Sequence, residues 1–185
     1  MGLGGWIFLG VIVAIVLWAI AAYNRMIGSR NQVDNAWSQI DVQLKRRHDL
    51  IPNLVQVVKD AMGYEQETLK AVIEARNSAL TAKGPAEISQ AENALTVATG
   101  RLLALTEAYP DLKANTNIMA LQEELTATEN KISFARQFYN DSVMGLNNAV
   151  QSFPGNLIAG SFGFTIGQFF NVPETEKAVP QVKLR

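Results

Sequence analysis

From Leu3 to Tyr23 the chain carries no charged side chain. Wound as a helix at 1.5 Å per residue, this stretch is roughly 31 Å long, about the thickness of a bilayer's hydrocarbon core. Trp6 stands near one end, and Trp18 and Tyr23 stand near the other, where interfacial aromatics collect. In lipid a helix satisfies every backbone polar group internally, so the Val and Ile content does not count against one. Residues 1–23 therefore read as a single transmembrane anchor. The competing reading is a cleaved signal peptide, since Ala19-Ile20-Ala21 is an A-x-A pattern followed by Ala22. Against it, Met1–Gly5 has no Lys or Arg, and the apolar run exceeds the usual core of about 7–15 residues. Arg25 and Arg30 follow the run while nothing basic precedes it, which places the bulk of the chain on the cytoplasmic side and the N-terminus outside.

Beyond the anchor enough chain remains for one domain with its own core. The formal net charge of −1 gives no reason to expect a nucleic-acid partner. With no Cys, disulfides, thiolate metal sites and Cys nucleophiles are all excluded. His48 is the sole histidine, so a Ser-His-Asp triad or a zinc site would have to be built around one ring. The expectation is a protein that is not an enzyme and has no cofactor and no metal.

After the anchor the hydrophobic period is helical throughout. Val33, Trp37, Ile40, Leu44, Arg47, Ile51, Leu54 and Val58 alternate by four and three along a first long helix, residues 24–62. Gly28 is a candidate bend, Pro52 predicts a kink near His48–Asp49, and Gly63 a break. A shorter helix over 65–82 carries Leu69, Ile73, Arg76 and Leu80 on one face and stops at Gly84-Pro85. The third shows Ile88, Ala91, Leu95, Ala98, Leu102 and Leu105, and stops at Tyr109-Pro110. The last, about 117–152, has Ile118, Leu121, Leu125, Thr128, Ile132, Ala135, Tyr139, Ser142, Leu146 and Phe153 as its seam. The fold class is all-α: an N-terminal transmembrane helix followed by an antiparallel four-helix bundle with two long and two shorter helices.

Helix lengths of roughly 58, 27, 35 and 54 Å, laid alternately outward and back, return the chain to the anchor's end near Phe153. The next stretch, residues 153–172, is apolar and Gly/Phe-rich. Through Phe170 it has four glycines and no charge. Phe153, Leu157, Phe162, Phe164, Phe169 and Phe170 are its candidate membrane or subunit contacts; the plainer alternative is a cap over the end of the bundle. Residues 24–152 thus form the bundle domain, and 173–185 read as a disordered tail.

Two arginines, Arg47 and Arg76, occupy seam positions where apolar residues belong. A buried guanidinium needs partners, because leaving it unpaired costs several kcal/mol. Glu129 beside Thr128 and Arg136 on the same edge of the last helix are candidates for a shared network, with Asn130 and Asn140 adding amides. Arg47, Arg76, Glu129, Arg136 and Asn140 form the expected structural polar network, a device that fixes helix register. The competing reading is an anion or headgroup pocket near Arg46, Arg47 and His48, which no glycine-rich phosphate loop supports.

Several further stretches stand out: Val33-Asp34-Asn35-Ala36-Trp37-Ser38-Gln39-Ile40-Asp41-Val42-Gln43-Leu44-Lys45-Arg46-Arg47, Asp49-Leu50-Ile51-Pro52-Asn53-Leu54-Val55, Glu74-Ala75-Arg76 and Ala108-Tyr109-Pro110-Asp111-Leu112-Lys113-Ala114. The last helix adds Leu121-Gln122-Glu123-Glu124-Leu125, Thr128-Glu129-Asn130, Ala135-Arg136 and Tyr139-Asn140, before Phe153-Pro154. Together these stretches resemble the LemA family of bacterial membrane proteins. The resemblance implies a single-pass helical-bundle protein of the bacterial cytoplasmic membrane, with its N-terminus outside. It supplies no enzyme mechanism. The expected function is a non-catalytic scaffold that assembles laterally as a homo-oligomer and organises or remodels the bilayer. The alternative is a membrane-tethered adaptor that binds an unidentified membrane protein in envelope stress or signalling.

Overall fold

The computed structural model describes residues 2–61 and 66–170. Six helices follow in order: α1 (Leu3–Ala61), α2 (Gln66–Thr81), α3 (Gly84–Ala108), the single turn α4 (Pro110–Lys113), α5 (Thr116–Gln151) and α6 (Gly155–Phe162). There is no strand among the described residues, so the all-α expectation holds. The anchor and the first bundle helix are one element: α1 continues through both Gly28 and Pro52. The expected break at Gly63 and the tail 173–185 lie outside the described residues.

The chain divides into two compact units. The larger comprises Gln39–Arg136 with Phe169 and Phe170, and is a bundle of the second half of α1, α2, α3 and the first half of α5. Its core joins Ile51, Leu54 and Val58 of α1 with Leu69 and Val72 of α2, Leu95 and Leu102 of α3, and Ile118 and Leu125 of α5. Leu112 on α4 closes one side of it. Burying each such side chain contributes about 1.5–3 kcal/mol, which is what holds four helices of moderate propensity together. The seams of α1 and α5 are those expected, except that Phe153 lies past the end of α5 and is exposed, but α2 and α3 are rotated by about one position. In α2 Val72 and Ala79 point inward while Ile73 and Leu80 are exposed, because two adjacent apolar residues leave the helix azimuth open. In α3 the buried face adds Ser89, Glu92, Thr99 and Thr106, whereas Ala91, Ala98 and Leu105 pack at its edge. Lys83-Gly84-Pro85 makes the turn from α2: Gly84 takes a φ of 76°, and proline starts the next helix.

The second unit comprises the chain up to Ser38 with Gln137–Gln168. Here Trp37 of α1 meets Tyr139 of α5 edge-on at 5.2 Å, while the earlier Tyr23 meets Phe162 of α6, further along the chain, at 4.9 Å, so the chain from α5 into α6 runs back along α1. Met26, Ala36, Val143, Leu146 and Ala159 are buried in this unit. The start of α6 fits closely: a Cβ on Gly155 would lie 2.8 Å from the Ala149 carbonyl oxygen and 3.2 Å from Met26 Cε. Only a bare backbone passes there. At its other end α6 stops on Gly163, whose left-handed φ of 72° lets its N–H return to the Ala159 carbonyl.

Along the first turns of α1 no described residue covers the apolar side chains. Trp6 is 65 % exposed, Phe8 68 % and Leu17 61 %. A helix that is apolar on every side and uncovered has lipid as its natural solvent, so α1 provides an N-terminal helix long and apolar enough to serve as a single-pass anchor.

Candidate functional site

At the centre of the bundle unit, Arg47 and His48 are consecutive on α1 and both buried, as is Glu92 on α3. The Arg47 guanidinium donates through Nη1 to Glu92 Oε2 at 3.2 Å and lies 3.0 Å from Glu129 Oε2 of α5. Its Nη2 donates to Thr96 Oγ1 at 2.7 Å, and that hydroxyl donates to the Glu92 carbonyl one turn back. His48 Nε2 is 2.6 Å from the other oxygen of Glu92. One carboxylate thus serves two adjacent residues of α1, while the half-exposed Glu129 takes the solvent side of Arg47. Outside this core Arg46 pairs with Glu124 at 2.7 Å, with both side chains over two-fifths exposed. A surface pair of that kind contributes little.

Arg76 has a different partner from the carboxylate expected for it. Its Nε donates to the backbone carbonyl of His48 at 2.8 Å. The helical partner of that carbonyl would be the N–H of residue 52, and residue 52 is proline. Arg76 fills the vacancy that Pro52 creates in the α1 ladder. We expect Arg76→Leu to cost about 1–3 kcal/mol, from the carbonyl left without a donor. The same change in a Pro52→Ala background should cost clearly less, because the alanine restores a backbone N–H to the ladder at that position. A double-mutant cycle read by thermal melting in mild detergent checks this; equal costs in both backgrounds would sink the account.

Arg136 is buried, with its guanidinium carbon 5.9 Å from the centre of the Phe170 ring. That distance allows a cation–π contact. Phe170 is itself only 2 % exposed, which removes it from the expected membrane or subunit contacts. Its ring is spent inside its own unit. Asn140 is half-buried and engaged. The other candidate contacts differ from Phe170. Phe153 is 79 % exposed, Leu157 60 %, Phe162 62 % and Phe169 46 %, while Phe164 is half-buried.

In the anchor-bearing unit, side chains of α5 hold the stretch after α6. The Asn147 amide donates to the Gly167 carbonyl at 3.1 Å and accepts from the Gly167 N–H at 2.7 Å. Tyr139 Oη donates to the Gln168 carbonyl at 2.8 Å. Burial, with the Asp34 carboxylate second, pushes the Tyr139 phenol above its usual range and keeps it a donor. The rings of Phe162 and Phe164 pack edge-on against Tyr23, the last residue of the uncharged run, at 4.9 and 5.6 Å. The chain does return to the end of the apolar helix.

Two partners were missed in the sequence. Glu92 lies one position off the seam read for α3, yet Glu92, Thr99 and Thr106 repeat every seven residues, a polar stripe that could have been noticed. Asn147, which no seam or network position marks out, binds the backbone of Gly167 twenty residues further along the chain. Nothing local signals that.

The LemA family model matches residues 36–184. The chain belongs to the LemA family. Among its relatives, a protein LemA of Metamycoplasma hominis is 24 % identical over 158 residues, covering 83 % of this chain and 71 % of that protein. The magnetosome protein MamQ of Magnetospirillum gryphiswaldense is 22 % identical over 200 residues, covering 92 % and 74 %. MamQ 2 of Paramagnetospirillum magneticum is 20 % identical over 185 residues, covering 86 % and 68 %. None of these names denotes an enzyme. The network from Arg47 to Glu129, with the Tyr139 and Asn147 fastenings, lies inside the stretch matched to the LemA family, whereas the apolar turns of α1 precede it.

Proposed function

We propose that this LemA-family chain is a non-catalytic, membrane-anchored helical scaffold that assembles laterally, as a homo-oligomer, and organises or remodels the membrane. One observation carries the reading: a second uncharged apolar element, α6 and its continuation, is held against the foot of the apolar helix at Tyr23. A plain tether would need no such element. The Arg47–Glu92–His48 cluster supports a structural role, since Glu92 pairs with both Arg47 and His48, and Arg47 pairs also with Glu129. Arg25 and Arg30 support placement of the bundle on the cytoplasmic side of the bacterial inner membrane. The likeness to proteins named for the magnetosome supports a membrane-linked role.

The test is lysine-directed crosslinking of the full chain in intact cells, with membrane morphology followed by electron tomography on overproduction. A ladder of self-crosslinked species and altered membrane outlines are expected. A strict monomer with unaltered membranes would overturn the scaffold. The adaptor reading rests on the exposed ring of Phe134 on α5, 72 % accessible. It predicts crosslinks to one foreign membrane protein in place of the ladder.

A further inference from the structure

We propose that α6 and the residues that follow it form a wedge seated in the headgroup–acyl boundary of the bilayer, beside the cytoplasmic end of the anchor. The occupant of the exposed face of α6 is then lipid. This rests on reading α1 as a membrane-spanning helix. Four observations point to it.

The first is charge. Residues 153–170 contain no Asp, Glu, Lys or Arg, while the chain as a whole has 33 such residues, 16 basic and 17 acidic. An uncharged stretch of this length on a water-facing surface is unusual, whereas the interface tolerates it. The second is exposure: Phe153, Leu157, Phe162 and Ile166, all of the anchor-bearing unit, are between 56 % and 79 % accessible, and they follow one another along a single short segment. Together they leave apolar surface with no cover from the described residues.

Depth is the third. The rings of Phe162 and Phe164 are in contact with Tyr23, and Tyr23 ends the apolar run just before Asn24 and the first charge, Arg25. An anchor that spans the bilayer puts Tyr23 at the interface, so these two rings lie at the same level. At eight residues, α6 is about 12 Å long and cannot cross the hydrocarbon core. Held at the level of Tyr23, it is placed to lie in the boundary, where amphipathic segments sit about 5–10 Å deep.

The fourth is polar satisfaction, which a low-dielectric setting demands. Ser161 Oγ donates back to the Leu157 carbonyl, the Phe164 N–H reaches the Ala159 carbonyl, and Asn147 takes both polar groups of Gly167. Tyr139 takes the Gln168 carbonyl. Protein groups thus meet the Phe164 N–H, both backbone groups of Gly167 and the Gln168 carbonyl, which irregular chain would otherwise leave to water.

The chain has no cysteine, so single-cysteine spin labels can be placed without background. Labels at Leu157→Cys and Phe162→Cys in the full chain, one copy per nanodisc of phosphatidylethanolamine and phosphatidylglycerol, report accessibility to oxygen and to a water-soluble nickel chelate. Val16→Cys in the anchor and the exposed Val42→Cys in the bundle are the references. The oxygen-to-nickel ratio at 157 and 162 should be several-fold higher than at 42 and approach that at 16. A Leu157→Asp change alongside the Phe162→Cys label should lower its ratio towards that of 42 while far-UV dichroism stays constant. Three results would overturn the wedge. Ratios at 157 and 162 equal to that at 42 mean that the face meets water. Exclusion of both reagents there means that protein covers it. A water-like ratio at Val16 removes the anchor on which the wedge rests, and so is separable from failure of the wedge alone. The single-copy discs make the outcome independent of lateral assembly.

Discussion

Replacing Glu92 by Ala is expected to lower stability by about 3–5 kcal/mol, the range for breaking a buried ion pair from one side. The reason is what stays behind. Arg47 is 5 % exposed and His48 is 7 % exposed, and the one carboxylate that remains near Arg47 belongs to Glu129, whose side chain is 37 % exposed. Thr96 would still accept from Nη2, but a neutral hydroxyl does not offset a desolvated guanidinium. Thermal melting in mild detergent, followed by far-UV dichroism, measures the loss. A companion variant turns the measurement into a test of role. Changing Arg47 to Met, His48 to Phe and Glu92 to Leu together replaces the buried charges with apolar bulk, and such exchanges are often neutral or stabilising. Near-recovery of stability with the cellular phenotype retained is expected if the cluster only fixes helix register. Near-recovery with the phenotype lost would instead favour the anion or headgroup pocket around Arg46, Arg47 and His48.

The second large effect is local. Asn147→Ala is expected to free the chain after α6, at about 2–4 kcal/mol for the two backbone groups of Gly167 left without partners. Both bonds come from one amide, so both go at once. Gly167 sits close to α5 here: a Cβ added to it would lie 3.3 Å from Val143 Cγ1 and 3.9 Å from Asn147 Oδ1. Native-state hydrogen exchange resolves the consequence: protection of the amides at 164–168 should fall by roughly two orders of magnitude or more, while amides in the core of α3 keep theirs. Uniform loss of protection would mean that Asn147 supports the whole fold, contrary to a local role. Tyr139→Phe should give a smaller version of the same pattern, because it removes one bond and leaves the ring packed on Trp37.

How far could these residues be read from the chain alone? Arg47 was legible because a charge at a seam position contradicts the hydrophobic period, and such a contradiction requires a partner. Glu129 was legible for the same reason in reverse, as a carboxylate flanking a seam on the helix expected to lie opposite. Glu92 was not. A helix with alanine and leucine on several faces fits more than one azimuth, and in α3 the choice between Ala91 and Glu92 as the inward residue depends on what α1 presents. The same holds for Val72 against Ile73 in α2. Arg76 was legible as a buried cation, but its acceptor became visible only when Pro52 and the neighbouring helix were in place together.

By itself the sequence determined the uncharged run long and apolar enough to span a bilayer, the helical period of the bundle that follows, the absence of cysteine chemistry and the second apolar stretch from Phe153. These are local properties, carried by composition and by spacing along one stretch of chain. Tertiary structure decided which faces of α2 and α3 turn inward and which carboxylate meets Arg47. It also decided that Phe170 is buried beside Arg136 while Leu157 and Phe162 are left uncovered. Those outcomes depend on contacts between residues tens of positions apart, where several packings satisfy the same local pattern and only the shared burial of all helices selects one. The contact of Tyr23 with Phe162 is of this kind: it joins the two apolar stretches that the sequence shows separately.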